Sequence, residues 1–226
     1  MYIDVNNTKL YYEIIGKGDP LILLHGNGED HHIFDSAVTI LKDYFTCYCI
    51  DSRGHGQSMP IEKYDYQDMA NDLIAFITQL NLHKVTLYGF SDGGIIGLLI
   101  ASQTNLLSRL IISGANCNPH GLKIKTYLEM KLSYILKHDP KIELMLNQPA
   151  ITNEQLNKIT IPVLVLAGSK DVIKKKHTLN LAREIANSEL KILTGETHGS
   201  YIINSTKIAK IILEYIQIGL YTFYYR

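Results

Sequence analysis

The sequence predicts an α/β fold, a mostly parallel sheet with helices on both faces. Three observations carry that prediction. Short, wholly apolar runs such as PLILLHG, FTCYCI and IPVLVLAG recur along the chain, as expected of strands buried on both sides. Segments with helical spacing alternate with these runs, the pattern of β–α–β units. Glycine-rich turns follow several of the runs, at the strand ends where ligand sites of such sheets form.

Taken in order, YIDV and KLYYEII alternate apolar with polar residues around Asn6-Asn7-Thr8, which predicts an opening hairpin. PLILLHG reads as a strand, HHIFDSAVTILKDY as a helix, and FTCYCIDSRGHG as a second buried strand running into a glycine-rich turn. YDYQDMANDLIAFITQL predicts a helix, KVTLYG a strand, DGGIIGLLIASQ a helix and LLSRLIISGA a strand. Between residues 118 and 158 the alternation stops. LKIKTYLEMKLSYILKH and PKIELMLNQ are helix-like, Pro140 and Pro149 interrupt them, and no buried strand intervenes. An insertion between two strand ends lies over the carboxyl edge of the sheet, so 118–158 is expected to form a short helical lid within one domain spanning 1–226. IPVLVLAGSKD, HTLNLAREIAN, LKILTG and STKIAKIILEYI then restore the rhythm as strand, helix, strand and helix. The tail YTFYYR is unusually aromatic and receives no assignment.

Composition narrows the function classes. With 226 residues, 46% of them hydrophobic, the chain can bury a core without disulfides. Its 22 basic and 22 acidic residues balance, so no net field draws in nucleic acid or an anionic membrane surface. No apolar run approaches the roughly 20 residues of a membrane span. The opening MYIDVNNTKLYYEIIG lacks the basic and apolar regions of a signal peptide, so a cytoplasmic location is expected. Cys47, Cys49 and Cys117 read as core thiols rather than metal ligands, because no second cysteine pair or histidine cluster completes a site.

The chemistry concentrates at Gly89-Phe90-Ser91-Asp92-Gly93, a G-x-S-x-G pattern between a predicted strand and a predicted helix. Alone the pattern is weak, since a glycine loop containing a serine has the same letters. Its position gives it meaning. A turn this tight strains the serine backbone, the flanking glycines remove clashing Cβ atoms, and Gly94 with Gly97 lets the helix approach the sheet. Ser91 then sits at a helix amino end that favours developing negative charge, with the Asp92 N–H as first oxyanion donor. His25-Gly26-Asn27-Gly28 follows an earlier strand, and the Asn27 N–H is the expected second donor.

The base and the acid should lie at later strand ends. Of the nine histidines, His198 follows the last predicted strand in a glycine-flanked turn, whereas His177 falls in a lysine-rich helix start and His120 and His138 lie in the lid. Asp171 ends the strand before it; the competing loop offers Asn116, which has no charge to stabilise an imidazolium. Nucleophile, acid and base therefore run Ser91, Asp171, His198.

At this point the chain resembles the α/β-hydrolase superfamily, close to its small lidded bacterial serine hydrolases. HGNG, DSRGHGQS, GFSDGG and GSKD followed by THGSY occur in the family's order, and the similarity covers nearly the whole chain. The resemblance implies the α/β-hydrolase fold with an eight-stranded sheet, and structural roles for Asp51, Arg53 and Gly54. GFSDGG is similar to the elbow of biphenyl-hydrolase-like esterases, among which amino-acid ester hydrolysis is known. Asp92 can thus be read as favouring a substrate ammonium, or as a solvated acid at a helix start.

The expected activity is cleavage of a small-molecule ester or thioester through an acyl-enzyme on Ser91, without metal or organic cofactor. Carbon–carbon bond hydrolysis and lactone opening use the same triad, and a weakly catalytic ligand-binding or signalling protein is the alternative of another class. His25, Tyr127, Met130 and Tyr134 are the candidate substrate contacts. Leu128 and Leu132 share their lid helix, where apolar residues also serve packing. The oligomeric state has no sequence signal.

Overall fold

The computed structural model describes the backbone of residues 1–224 and the side chains of residues 1–216. The side chains of the aromatic tail YTFYYR lie outside the described residues. Strands β1 (Tyr2–Val5) and β2 (Thr8–Gly16) pair antiparallel with Val5 opposite Thr8. Asn6 and Asn7 between them have φ of 41° and 60°, the left-handed pair a two-residue hairpin turn requires. Thr8 therefore belongs to the strand and not to the turn.

The sheet continues through β3 (Asp19–Leu24), β4 (Phe45–Ile50), β5 (Val85–Phe90), β6 (Leu107–Ser113), β7 (Val163–Gly168) and β8 (Ser188–Leu193). Its eight strands run in the order β1-β2-β4-β3-β5-β6-β7-β8. β2 meets β4 antiparallel, and every pairing beyond β4 is parallel. The apolar runs predict this two-sided burial. In β3, Leu21 and Leu23 enter one core layer while Ile22 and Leu24 enter the other, all four without exposed surface. Helices α2 (Tyr66–Gln79), α3 (Asp92–Gln103) and α7 (Lys175–Glu184) contribute to the first layer; α1 (Asp35–Leu41) and α8 (Lys207–Tyr224) contribute to the second.

One helix prediction needs revision. The segment HHIFDSAVTILKDY does not form one helix: His31–Phe34 makes a 3-10 turn and α1 begins only at Asp35. The cause is Asp51, whose Oδ1 accepts from both the His31 N–H (2.8 Å) and the His31 ring Nδ1 (2.7 Å) and draws the turn inward. The insertion between β6 and β7 contains α4 (Ile124–Lys137), α5 (Pro140–Asn147) and α6 (Asn153–Asn157). Leu144, Ile151 and Leu156 belong to the core layer beneath α3, so the insertion's carboxyl part is anchored. α4 buries no residue at all.

Cys47, Cys49 and Cys117 are free, buried thiols. Burial pushes Cys47 and Cys117 up to about 12, leaving them protonated and unreactive at neutral pH. Among the described residues no helix is long and apolar enough to cross a membrane.

Candidate active site

Ser91 occupies the bend between β5 and α3 with φ 51° and ψ −110°, a conformation that strains an L-residue by about 1–3 kcal/mol. The surroundings enforce it. A Cβ at Gly89 would collide with the Gly93 carbonyl, and one at Gly93 with the Leu24 carbonyl, so the chain can turn this sharply only between glycines. The Ser91 N–H donates to Ser113 O (2.7 Å), and its own carbonyl accepts from the Gly94 and Ile95 amides, which starts α3.

The loops after β7 and β8 bring two further side chains to this bend. The Ser91 hydroxyl lies 3.1 Å from His198 Nε2, and His198 Nδ1 lies 2.7 Å from Asp171 Oδ1. Burial alone would raise the Asp171 carboxyl, but hydrogen bonds from His198 and from the Ile173 amide (3.0 Å) hold it below the ordinary range. An ionised Asp171 can only accept, so Nδ1 carries the ring proton and Nε2 is left to accept from the Ser91 hydroxyl. Gly114, with φ 64°, passes beneath the imidazole so closely that a Cβ there would stand 2.6 Å from His198 Cε1.

Two backbone amides of residues lining the same cavity as Ser91 are unpaired. Among the described residues neither the Asp92 N–H nor the Asn27 N–H donates to a protein acceptor. The loop carrying Asn27 is held by bonds from Glu29 N to Gly26 O (3.3 Å), Gly26 N to Glu29 Oε2 (3.0 Å) and Gly93 N to His25 O (3.1 Å), and by those that Asn27 Nδ2 donates. His25 itself is a correction to the expected substrate contact. It is 1% exposed, with Nδ1 donating to Gly26 O (2.7 Å) and Nε2 accepting from Ser52 N (3.0 Å), so neither nitrogen is free for a ligand. Burial lowers its pKa and pushes neighbouring His55 down to about 4, so both rings are neutral at pH 7.

The Asp92 carboxyl is likewise not the solvated acid that a helix start suggests. It is 5% exposed, accepting from Tyr66 OH (2.8 Å) and Asn27 Nδ2 (2.9 Å). Burial raises it to about 6 despite those two donors. In the DSRGHGQS loop, Asp51 accepts from His31 and from the Gln57 amide, while Arg53 grips buried Asp72 with Nε and Nη2, both at 2.5 Å.

A cavity of about 230 Å³ opens over Ser91 and His198, walled by Asn27, Glu29 and Asp92 on one side and by Phe90, Leu122, Met130, Met145, Val172 and Ile173 elsewhere. Of the candidate lid contacts only Met130 lines it. Tyr127 is rotated about 100° from Thr126, and Tyr134, which shares the face of Thr126 and Met130, stands a turn farther along α4 and does not line the cavity. Leu128 and Leu132 are 57% and 59% exposed and neither pack nor line the cavity. Sequence reasoning missed Glu29, Tyr66, Gly114 and Gln148. Glu29 had a visible signal, an acid directly behind the Asn27 loop; Tyr66 and Gln148 meet across 82 residues, through Tyr66 N to Gln148 Oε1 (3.2 Å), and had none.

Comparisons with known proteins identify the fold family. The alpha/beta hydrolase fold family matches residues 19–134. An AB hydrolase superfamily protein, YisY of Bacillus subtilis (strain 168), is 30% identical over 92% of this chain and 96% of its own length. Serine hydrolase BPHL of Homo sapiens is 32% identical over 50% of this chain and 42% of its own. An esterase from Exiguobacterium antarcticum superposes with a TM-score of 0.81 at 25% identity, covering 96% of this chain and 98% of that one.

Proposed function

The chain belongs to the alpha/beta hydrolase fold family, and on that premise we propose that it is a serine hydrolase that cleaves a small-molecule carboxylic ester or thioester through an acyl-enzyme on Ser91. One observation carries the reading: the unbroken relay from Ser91 Oγ to His198 Nε2 (3.1 Å) and from His198 Nδ1 to Asp171 Oδ1 (2.7 Å), beside two unpaired amides.

In this mechanism Ser91 Oγ attacks the substrate carbonyl as its proton passes to His198 Nε2. The Asn27 and Asp92 N–H groups donate to the resulting oxyanion, and ionised Asp171 stabilises the imidazolium. His198 returns the proton to the leaving alkoxide or thiolate as the tetrahedral adduct collapses. Water then repeats the sequence on the acyl-enzyme, releasing the acid and restoring the Ser91 hydroxyl. The apolar walls suit an uncharged acyl or aryl group small enough for about 230 Å³.

The test is Ser91→Ala assayed on a short-chain nitrophenyl ester, alongside labelling by a fluorophosphonate probe. Turnover should fall by about 10³-fold or more and labelling should disappear. An unchanged rate, or a label on another residue, would overturn the assignment.

A further inference from the structure

Helix α4 has an outer face that nothing among the described residues covers. Ile124, Leu128, Leu132, Ile135 and Leu136 are 71%, 57%, 59%, 58% and 72% exposed. At about 100° per residue these five fall within an arc about 120° wide, on the opposite side of the helix from Thr126 and Met130, which line the cavity. An apolar stripe of this extent, on the order of several hundred Å², is uncommon on a surface that meets only water. It does not hold the lid to the sheet, since α4 buries nothing.

Charge indicates what covers the stripe. The chain as a whole balances 22 basic against 22 acidic residues, but at about 100° per residue Lys125 falls within the stripe and Lys131 beside its edge at Ile124, against Glu129 at the other edge, while Lys123 and Lys137 fall on the cavity side. The Lys125 side chain is 86% exposed, and its pair with Glu129 is long, at 3.9 Å. An apolar face that carries more lysine than acid suits a helix lying in a lipid interface. A second copy of the chain on the same face would bring together two lysines and one glutamate from each copy, leaving the positive charge uncancelled.

We propose that the outer face of α4 docks the protein on an anionic lipid surface, its apolar side chains entering the headgroup boundary and its lysines facing lipid charge. Docking of this kind does not require hydrolysis. Because the reverse side of α4 walls the cavity, it would also hold the cavity mouth beside the lipid, where apolar molecules partition.

The full chain is sedimented with vesicles of phosphatidylcholine alone and with vesicles containing about one quarter phosphatidylglycerol. Partition onto the anionic vesicles should be at least about tenfold stronger, should drop by about fivefold for each of Lys125→Gln and Lys131→Gln, and should vanish at about 0.5 M NaCl. The double change Leu128→Ser with Leu132→Ser should reduce it about tenfold or more while leaving the melting temperature near that of the parent, because both side chains are exposed. Partition that ignores vesicle charge overturns the proposal, as does partition unaffected by the two serines. So does a dimer, seen by sedimentation velocity without vesicle binding, that the two serines dissolve.

Discussion

Replacing Asp92 by asparagine should stabilise the fold at neutral pH and not in acid. The carboxyl is raised from 3.8 to about 6 because burial outweighs the donors Asn27 and Tyr66. A shift of about two units corresponds to about 3 kcal/mol. Between those two pH values the folded chain holds a proton that the unfolded chain has released, so stability is highest below the lower value and is lost as pH rises through the upper one. At pH 8 the folded protein therefore carries about 3 kcal/mol of burial cost that a neutral side chain would not. Asparagine can still accept from Tyr66 OH, now 2.8 Å away, but it turns an amide nitrogen toward Asn27 Nδ2, where the carboxylate accepts at 2.9 Å. Donor facing donor costs about 1 kcal/mol. The net expectation is a gain of about 2 kcal/mol at pH 8 that becomes a loss of about 1 kcal/mol at pH 4. Urea denaturation of both proteins across that range measures it. A stability difference that stays constant with pH, or a variant less stable at pH 8, refutes the reasoning.

Three further outcomes are expected. Gly114→Ala places a methyl 2.6 Å from His198 Cε1 and must displace the ring, so kcat on a nitrophenyl ester should fall about 10²-fold while circular dichroism shows a folded chain; an unchanged kcat would mean that this backbone does not fix the imidazole. Arg53→Ala strips buried Asp72 of its two-pronged partner and should cost about 3–5 kcal/mol by urea midpoint at pH 7. The loss should shrink in acid, because burial already raises the Asp72 carboxyl and an unpaired one protonates readily; equal losses at pH 7 and pH 4 would contradict that account. Among the described lining residues the cavity has two carboxylates, Glu29 and Asp92, and no lysine or arginine, so esters bearing a free carboxylate should be poor substrates. Glu29→Gln should raise kcat/KM for a hemisuccinate ester about tenfold relative to its neutral methyl-capped counterpart, and an unaltered ratio would remove Glu29 from specificity.

The fold was legible because its signals are short-range. Four consecutive apolar residues at Leu21–Leu24 with turn residues on both sides describe a strand buried on two faces wherever they occur, and the order of such runs yields the topology through β–α–β handedness. The meeting of Ser91, His198 and Asp171 was legible for a related reason: each ends or follows a strand that a parallel sheet delivers to the same edge. The lid contacts were not legible. A helix exposes every residue to some neighbour, and which arc of α4 faces the cavity depends on how far Leu144 and Leu156 draw the insertion inward. His25 misled for the opposite reason, since a histidine opening a glycine-rich loop has the same letters whether its nitrogens face a ligand or, as here, Gly26 O and Ser52 N.

Local rules and observed structure disagree mainly at that one edge. Ser91 holds a positive φ, Asp92 keeps a carboxyl buried, and His25 with His55 forms a neutral pair of rings where water would otherwise solvate them. A sheet stabilised only for folding would relieve each of these: alanine fits no worse than serine at Ser91, and asparagine would end the burial cost at Asp92. Their clustering beside two unpaired amides is what the proposed hydrolase reading expects of such an edge. The backbones of Ser91 and Asp92 share a single support, the glycine-lined bend at Gly89 and Gly93. A side chain at either glycine would therefore disturb Ser91 and Asp92 together, and no substitution there can separate the two.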